Sequence, residues 1–367
     1  MEGQLPETTG TQPGTPVGSA GRALQLGRRP TMRDVAAVAG VSLKTVSRVV
    51  NGEPGVSSTL GRRVRDAIDE LDFRPNIGAR SLRRAGGRTA TVGLLLEDVS
   101  NPFSSTLQRA VEDVAIPRGV MVFTASLDED PQRERELTRA FSARRADGLI
   151  IAPASDDQSY LESEVRAGTA IVCIDRQARR LAVDSVLTTN VDGSKAGVRH
   201  LIEQGHRRIA FLGDRHDITT AQQRYEGYLQ ALAEAGLPVD TGLVLSDLTS
   251  QALAQAAAVQ LLEQPDPPTA LFTAQNLVTI GVARALRHLK RERRVAVVGF
   301  DDFPLADLLD PGITVVAQDP TAIGRLAATV LFDRIGGNDS PPTTHVVPTR
   351  LIPRGSGEIG PQKNLTA

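Results

Sequence analysis

The residues best equipped for chemistry form a short run near the N-terminal end, Ser42-Leu43-Lys44-Thr45-Val46-Ser47-Arg48-Val49-Val50-Asn51. If a helix starts at Leu43 with Ser42 as its cap, Val46, Val49 and Val50 face inward, leaving Leu43, Lys44 and Arg48 on the exposed side. One apolar tip and two cations at a helix N-terminus suit the floor of a DNA major groove. Lysine donates to guanine O6 or N7, leucine packs on a thymine methyl, and arginine reaches base or phosphate. Thr31, Ser47 and Asn51 are placed as phosphate clamps, which position a reader without reading sequence. Leu82, between Arg80 and Arg83, would waste its apolar surface in water, yet it suits a wedge pushed between base steps in the minor groove. The plainer alternatives are a solvated helix face for Lys44 and Arg48, and packing on the protein core for Leu82.

Enzymatic chemistry has no comparable footing. There is no phosphate-cradling glycine loop with its lysine, no His-Glu-x-x-His and no Gly-x-Ser-x-Gly elbow, and the five histidines are scattered. We expect no catalytic residues, no metal and no cofactor. The single cysteine, Cys173, can make neither an internal disulfide nor a thiolate metal site.

The elements needed to hold the reader in place are legible around it. Thr31-Met32-Arg33-Asp34 reads as a capped helix start, Gly40 as the turn after it, Ser42 as the cap of a second helix, and residues 58–71 as a third, burying Val64, Ile68 and Leu71. Three short helices with a tight turn after the first predict a helix-turn-helix domain over 30–74. Residues 1–29, rich in Gly, Pro, Thr and Gln, predict a disordered arm. Residues 75–88 carry many arginines and few groups able to bury themselves, so they predict a hinge that orders on contact with a partner. From Thr89 onward, β-branched runs alternate with helical stretches: strands near 90–96, 120–126, 148–153, 170–175, 185–190, 208–213, 269–274, 295–301 and 313–318, with helices such as 104–118, 132–145, 193–203, 222–235 and 278–289 between them. This is the pattern of parallel sheets covered by helices on both faces, with too many units for one sheet.

The charge divides along the same line. Arg22 to Arg88 carry a balance of +8, and Thr89 to Ala367 one of −7, although the whole chain is at only −1. A small basic module on a larger acidic body fits a nucleic-acid reader with a second function. No apolar run approaches the roughly 18 to 20 residues a bilayer needs, and the N-terminal segment lacks a signal-peptide pattern, so a cytoplasmic protein is expected.

Thr31-Met32-Arg33-Asp34-Val35-Ala36-Ala37-Val38-Ala39-Gly40-Val41-Ser42, followed by Thr45-Val46-Ser47-Arg48-Val49-Val50-Asn51-Gly52, resembles the DNA-binding signature of the lac repressor family of bacterial transcription regulators. The resemblance continues in order through Phe73-Arg74-Pro75-Asn76 with Ala79 and Leu82, Val92-Gly93-Leu94 with Asp98-Val99-Ser100-Asn101-Pro102-Phe103, Asp147-Gly148-Leu149-Ile150-Ile151, Ile174-Asp175-Arg176, Gly205-His206-Arg207-Arg208, Val298-Gly299-Phe300-Asp301-Asp302 and Ile313-Thr314-Val315-Val316-Ala317-Gln318. It covers roughly residues 30 to 353. It implies an all-α helix-turn-helix domain and hinge helix, followed by an α/β effector domain of two lobes like a periplasmic sugar-binding protein. The implied partners are a palindromic operator in double-stranded DNA, a small-molecule effector and a second copy of the chain. DNA contacts are implied for Thr31, Ser42, Leu43, Lys44, Thr45, Ser47, Arg48 and Asn51, and in the hinge for Asn76, Ala79, Arg80 and Leu82. Effector contacts are implied for Asn101, Phe103, Asp175, Arg176, Arg224, Gln275, Asp301 and Gln318. The chain should cross between lobes three times, giving lobe one as 89–187 and 319–353 and lobe two as 188–318. Residues 354–367, with three glycines and a proline, should be a flexible tail unable to sustain a coiled coil, which favours a dimer.

Three departures from the family pattern bear on the ligand. Ser104 stands where a second aromatic is usual, Leu248 where an aromatic is frequent, and Gln275-Asn276 in place of an Asn-Asp pair. With no tryptophan and 3% aromatics the walls for ring stacking are thin, so a small polar ligand held by hydrogen bonds is expected. The competing readings are a DNA binder that has lost effector control, an exported sugar-binding protein and an enzyme.

Overall fold

The computed structural model describes residues 28–74 and 88–362, in two compact units that divide after Gly87. The predicted arm, apart from Arg28 and Arg29, and the predicted hinge, apart from Arg88 and so with Asn76, Ala79, Arg80 and Leu82, lie outside the described residues.

In the first unit, helices α1 (Met32–Ala39), α2 (Leu43–Asn51) and α3 (Ser58–Glu70) are the three read from the sequence. Thr31 and Asp34 form the capping box of α1, Asp34 Oδ2 accepting from Thr31 N at 2.8 Å and from Thr31 Oγ1 at 2.7 Å. These bonds, helped by Arg28 at 2.9 Å, hold the Asp34 carboxyl below the ordinary range. Gly40 adopts φ +60°, the left-handed geometry that ends a helix and that a side chain resists. Val35, Ala39, Val46, Val64, Ala67, Leu71 and Phe73 form the small core, with Ile68 only half-buried. Arg63 on α3 donates to the Ala39 carbonyl at 2.6 Å, tying the third helix to the turn between the first two.

The second unit contains two six-stranded sheets. The first is built from β1 (Thr91–Leu96), β2 (Met121–Ser126), β3 (Gly148–Ile151), β4 (Ala170–Ile174), β5 (Asp184–Thr188) and, much later, β11 (Thr344–Val347), in the order β11-β5-β4-β3-β1-β2. The second comprises β6 (Ile209–Leu212), β7 (Val244–Leu245), β8 (Ala270–Thr273), β9 (Ala296–Phe300), β10 (Thr314–Ala317) and β12 (Arg350–Ile352), in the order β12-β10-β9-β8-β6-β7. All pairings are parallel except β10 with β12. Helices cover both faces of each sheet, so the strands read as unbroken apolar runs such as Gly148–Ile151 and Ala170–Ile174.

Alternate residues supply the two layers of each lobe. Leu94, Ile150 and Val172 pack under α4 (Pro102–Ala115) and α11 (Pro320–Ile335), while Leu95, Leu149 and Ile171 face the side of α5 (Pro131–Ala143) and α6 (Glu162–Arg166). In the second lobe Phe211, Phe272 and Val298 pack against α7 (Asn190–Glu203) and α8 (Thr219–Glu234). Leu212, Leu271 and Val297 meet α9 (Gln251–Leu262) and α10 (Asn276–Leu289).

The chain passes between lobes three times, after β5, after β10 and after β11. The first and third crossings are stitched together, Thr349 N donating to Thr189 Oγ1 at 2.9 Å and Thr188 Oγ1 to the Val347 carbonyl at 3.0 Å. The third crossing comes earlier than expected. Strand β12 belongs to the second sheet, so residues 350–353 are part of lobe two. The described part of the expected tail is not a loose end either. Ser356 Oγ donates to the Val297 carbonyl at 2.7 Å and accepts from Thr314 N at 2.9 Å. Arg354 grips both oxygens of Asp302 at 2.7 and 2.6 Å, and the Ile359 carbonyl meets His206 Nε2 at 2.7 Å. Glycine in a connecting segment marks poor helix formation, but it does not forbid docking.

Helix α8 lies against α7 with Gly227 at the contact, where a Cβ would come within 2.3 Å of the Val191 carbonyl oxygen and 2.7 Å of Ser194 Cβ. Gly227→Ala should therefore force the helices apart and cost about 1–3 kcal/mol, read as a lower urea midpoint with unchanged slope. An unaltered midpoint would mean that α8 can shift freely there.

Candidate DNA-reading and effector-binding sites

The reader begins at the cap of α2. Ser42 Oγ accepts from Thr45 N at 3.2 Å and shares a 2.9 Å hydrogen bond with Thr45 Oγ1, so Ser42 and Thr45 are engaged in starting the helix. Val46 is fully buried, which turns Leu43, 45% exposed, and the exposed Lys44 outward. Further along, Arg48 and Asn51 are half-buried and converge on Glu53, Arg48 Nε at 3.7 Å and Asn51 Nδ2 at 3.4 Å, while Asn51 also donates to Ser47 Oγ at 3.3 Å. Thr31 is exposed, with its hydroxyl donated to Asp34. The helix thus offers a free tip, Leu43 and Lys44, and a pre-positioned polar cluster one turn later.

The second site is a cleft between the lobes of the second unit, about 650 Å³ of empty space with its mouth included. All eight residues proposed from sequence for effector contact line it: Asn101, Phe103, Asp175 and Arg176 from lobe one, Arg224, Gln275 and Asp301 from lobe two, and Gln318 at the second crossing. They converge because parallel strands end on one side: Asp175 follows β4, Gln275 follows β8, Asp301 follows β9 and Gln318 follows β10. Asp175 and Asp301 have φ of +63° and +70°, left-handed turns that redirect the chain just beyond each strand and that aspartate tolerates better than most residues.

Most polar groups in the cleft hold one another. Arg176 donates to Glu129 at 2.6 Å and to the Pro153 carbonyl at 3.0 Å, and its Nε lies 3.4 Å from Asp175. Burial opposes its charge, but Glu129 and Asp175 more than offset this and hold it protonated. Arg224 donates to Asn190 Oδ1 at 2.9 Å and the Ala274 carbonyl at 2.8 Å, reaches Asp301 at 3.4 Å, and stacks 4.0 Å from the Phe300 ring centre. Gln318 Nε2 donates to Asp301 Oδ1 at 2.7 Å, while its own Oε1 is buried without a partner. Burial pushes the Asp301 carboxyl up, Arg224 and Gln318 pulling the other way.

Contacts across the mouth join the lobes. Asn101, the cap of α4, makes a reciprocal amide pair with Asn276 at the start of α10, at 2.8 and 3.3 Å. Gln275 donates to Asp214 Oδ2 at 2.6 Å. The Gln275-Asn276 pair thus faces two ways, one amide into the cleft and the other to the opposite lobe. Ser104 lines the cleft, whereas Leu248 is buried in the core of lobe two.

Sequence reasoning missed Glu97, Asp214 and Thr220, which also line the cleft. Glu97 follows β1 directly and Asp214 comes two residues after β6, so an acidic residue just past an apolar strand was the available signal. Burial, with Glu129 and Asp175 nearby, pushes the Glu97 carboxyl up to about 8, and burial also raises that of Asp214. Among the described residues, no group of three or more His, Cys, Asp or Glu is arranged to hold a metal, and no helix is long and apolar enough to cross a membrane.

Comparison with known proteins places both sites in one context. Residues 31–76 match the pattern of bacterial regulatory proteins of the lacI family, and residues 198–357 that of the periplasmic binding protein-like domain. The ribose operon repressor of Escherichia coli (strain K12) is 34% identical over 308 residues, 83% of this chain and 93% of the repressor. The structure of the transcriptional regulator CelR in complex with cellobiose shares 32% identity at a TM-score of 0.65, over 89% of this chain and 100% of that one. The lac repressor dimer bound to operator and an anti-inducer superposes with a TM-score of 0.77 at 25% identity, over 90% and 99% of the two chains. With three short capped helices, a two-lobed α/β unit and relatives matched over most of their length, the chain belongs to the lacI family of bacterial regulatory proteins and is a DNA-binding transcription regulator.

Proposed function

We propose that this regulator represses transcription as a homodimer on an inverted-repeat operator, and that a small polar effector bound between the lobes sets its operator affinity. The observation that carries the reading is the convergence of eight side chains from both lobes on one cleft, in a chain that also has an exposed reader helix. A ligand touching both lobes binds one arrangement better than another, and that difference moves the population. Relatives named for ribose and cellobiose support a polyhydroxylated ligand. The work is done on DNA in the cytoplasm, and we assign the chain no reaction. A regulator without effector control is the second reading, favoured by how far Arg224 and Gln275 are satisfied within the protein.

On the DNA side, Leu43, Lys44 and Arg48 read bases, while Thr31, Ser42, Thr45, Ser47 and Asn51 seat the helix on the backbone. Asn76, Ala79, Arg80 and Leu82 are assigned to a minor-groove hinge. Lys44→Ala should cost about 1–3 kcal/mol on the selected operator and relax preference at one position per half-site. Equal weakening on random DNA, measured by gel retardation, would reduce Lys44 to a phosphate contact.

The second copy is assigned to the apolar edge of the first sheet. Strand β2 is an edge strand, and its alternate residues Met121 and Phe123 are 59% and 53% exposed. Bare apolar edges are an aggregation hazard unless another chain covers them. Replacing both with Asp should give a monomer in sedimentation velocity at micromolar concentration, and an intact dimer would move the interface elsewhere.

On the effector side, Asp301→Asn keeps the side chain's shape and removes its charge. It should leave operator retardation intact and abolish release by whichever of ribose, cellobiose or an extracted metabolite releases the native protein. Normal release by the variant would place the ligand away from Asp301, and no release of the native protein by any of them would favour the second reading.

A further inference from the structure

The charges of the cleft do not balance. Arg176 is shared by Glu129 and Asp175, and Arg224 serves Asp301. Two carboxyls are left over, one on each lobe. Among the described residues, Glu97 of lobe one has no hydrogen-bond or ion-pair partner for its side chain. Asp214 of lobe two accepts only neutral donors, Gln275 Nε2 at 2.6 Å and the Arg215 backbone N–H at 2.7 Å. Both line the same cleft, and they are close enough for Asp214 to oppose the ionisation of Glu97. The buried, unpartnered Oε1 of Gln318 is a further acceptor on this wall.

We propose that the effector of this chain is a polyhydroxylated amine, whose ammonium group bridges Glu97 and Asp214 across the cleft while its hydroxyls meet Asp175, Arg224, Asp301 and Gln318. The proposal rests on the effector reading of the cleft and narrows it to a class of ligand. A cation is what the surplus lacks: it supplies N–H donors to acceptors that have few, and it offsets the charge of Glu97 once that carboxyl ionises. A neutral polyol offers no charge, so for it the two lobes gain only hydrogen bonds. Because Glu97 and Asp214 belong to different lobes, one ammonium also joins them, which is the differential contact a switch requires.

The two ligand chemistries have opposite pH signatures. Glu97 is influenced by Glu129, Asp175 and Arg176 from its own lobe and by Asp214 from the other, and burial above all pushes its carboxyl up to about 8. An amine needs the carboxylate, so its binding expels a proton and tightens as pH rises toward that value. A neutral polyol uses the protonated carboxyl as a donor, so its binding weakens as pH rises through it.

The test is isothermal titration of the full-length protein with matched pairs, iminoribitol against ribose and glucamine against sorbitol, between about pH 6 and about pH 7.5. In at least one pair the amine should bind at least about tenfold more tightly than its neutral partner, and its affinity should rise about twentyfold over that interval as Glu97 ionises. Glu97→Gln should abolish both the preference and the rise, and Asp214→Asn should reduce the preference. Tighter binding of ribose or sorbitol than of the amine overturns the proposal and leaves the effector cleft standing. An amine preference that survives unchanged in Glu97→Gln overturns the assigned bridge. If none of the four binds, the amine proposal falls, and the cleft itself is judged separately by the Asp301→Asn release experiment.

Discussion

Parallel strand pairing is the constraint from which the functional half of this protein follows. A strand joined to its neighbour by a crossover helix must run the same way as that neighbour, so the loops that leave a sheet by its carboxyl ends gather on one side. Two such sheets, connected at β5, β10 and β11, bring those sides together. Glu97, Asp175, Asp214, Gln275, Asp301 and Gln318 come from six strand ends spread over more than 200 residues of sequence, yet they line one cleft. The glycine contact at Gly227 serves the same end, because the approach of α8 to α7 fixes how far Arg224, one turn earlier on α8, extends toward Asn190 and Asp301.

Gathering strand ends also gathers charge, and the cleft shows how burial and pairing compete. A carboxylate removed from water stays ionised only where a cation or several donors replace the lost hydration. Glu129 and Asp175 have Arg176, so three charged groups settle into one network. Glu97 has no hydrogen bond or ion pair among the described residues, and burial heads the causes that push its carboxyl up to about 8 from the ordinary glutamate value of 4.5, Arg176 pulling the other way. A carboxyl whose folded value is raised favours the fold most fully below its unfolded value, and that contribution is lost as pH rises through the folded one. The second unit therefore gives up stability at Glu97 between about pH 4.5 and about pH 8.

Sequence alone revealed those parts whose signals are local. Thr31 with Asp34, Gly40 and Ser42 announce the reader because capping and left-handed turns are properties of a few adjacent residues. The nine apolar runs announce the sheets because strands buried on both faces exclude polar residues. The missed strands β7, β11 and β12 are two to four residues long, and Val346, on β11, faces solvent, so no periodic pattern separates them from loop. The C-terminal segment misled for a related reason: its glycines lower helix propensity, while its attachment depends on distant partners, Val297, Asp302 and His206, that no local window contains. Glu97 and Asp214 were overlooked because an acidic residue after a strand is common. Only the fold reveals that two such residues, neither of them ion-paired among the described residues, line one cleft from different lobes.

The contacts that bridge the lobes are weak in a way that suits a regulator. Asn101 and Asn276 exchange amide hydrogen bonds, Arg179 reaches Thr219 Oγ1 at 3.3 Å, and Arg215 reaches the Glu129 carbonyl at 3.4 Å. These are neutral or partly exposed bonds, each contributing about 0.5–1.5 kcal/mol net. Among the described residues, the large apolar clusters each belong to one lobe and pack against its own sheet. These bonds together contribute a few kcal/mol, the same order as the coupling of about 1–3 kcal/mol by which a typical effector changes the affinity of a distant site. Had the lobes shared a hydrophobic core, no small polar molecule could tip the balance. Had they shared nothing, its binding would carry no information to the rest of the chain.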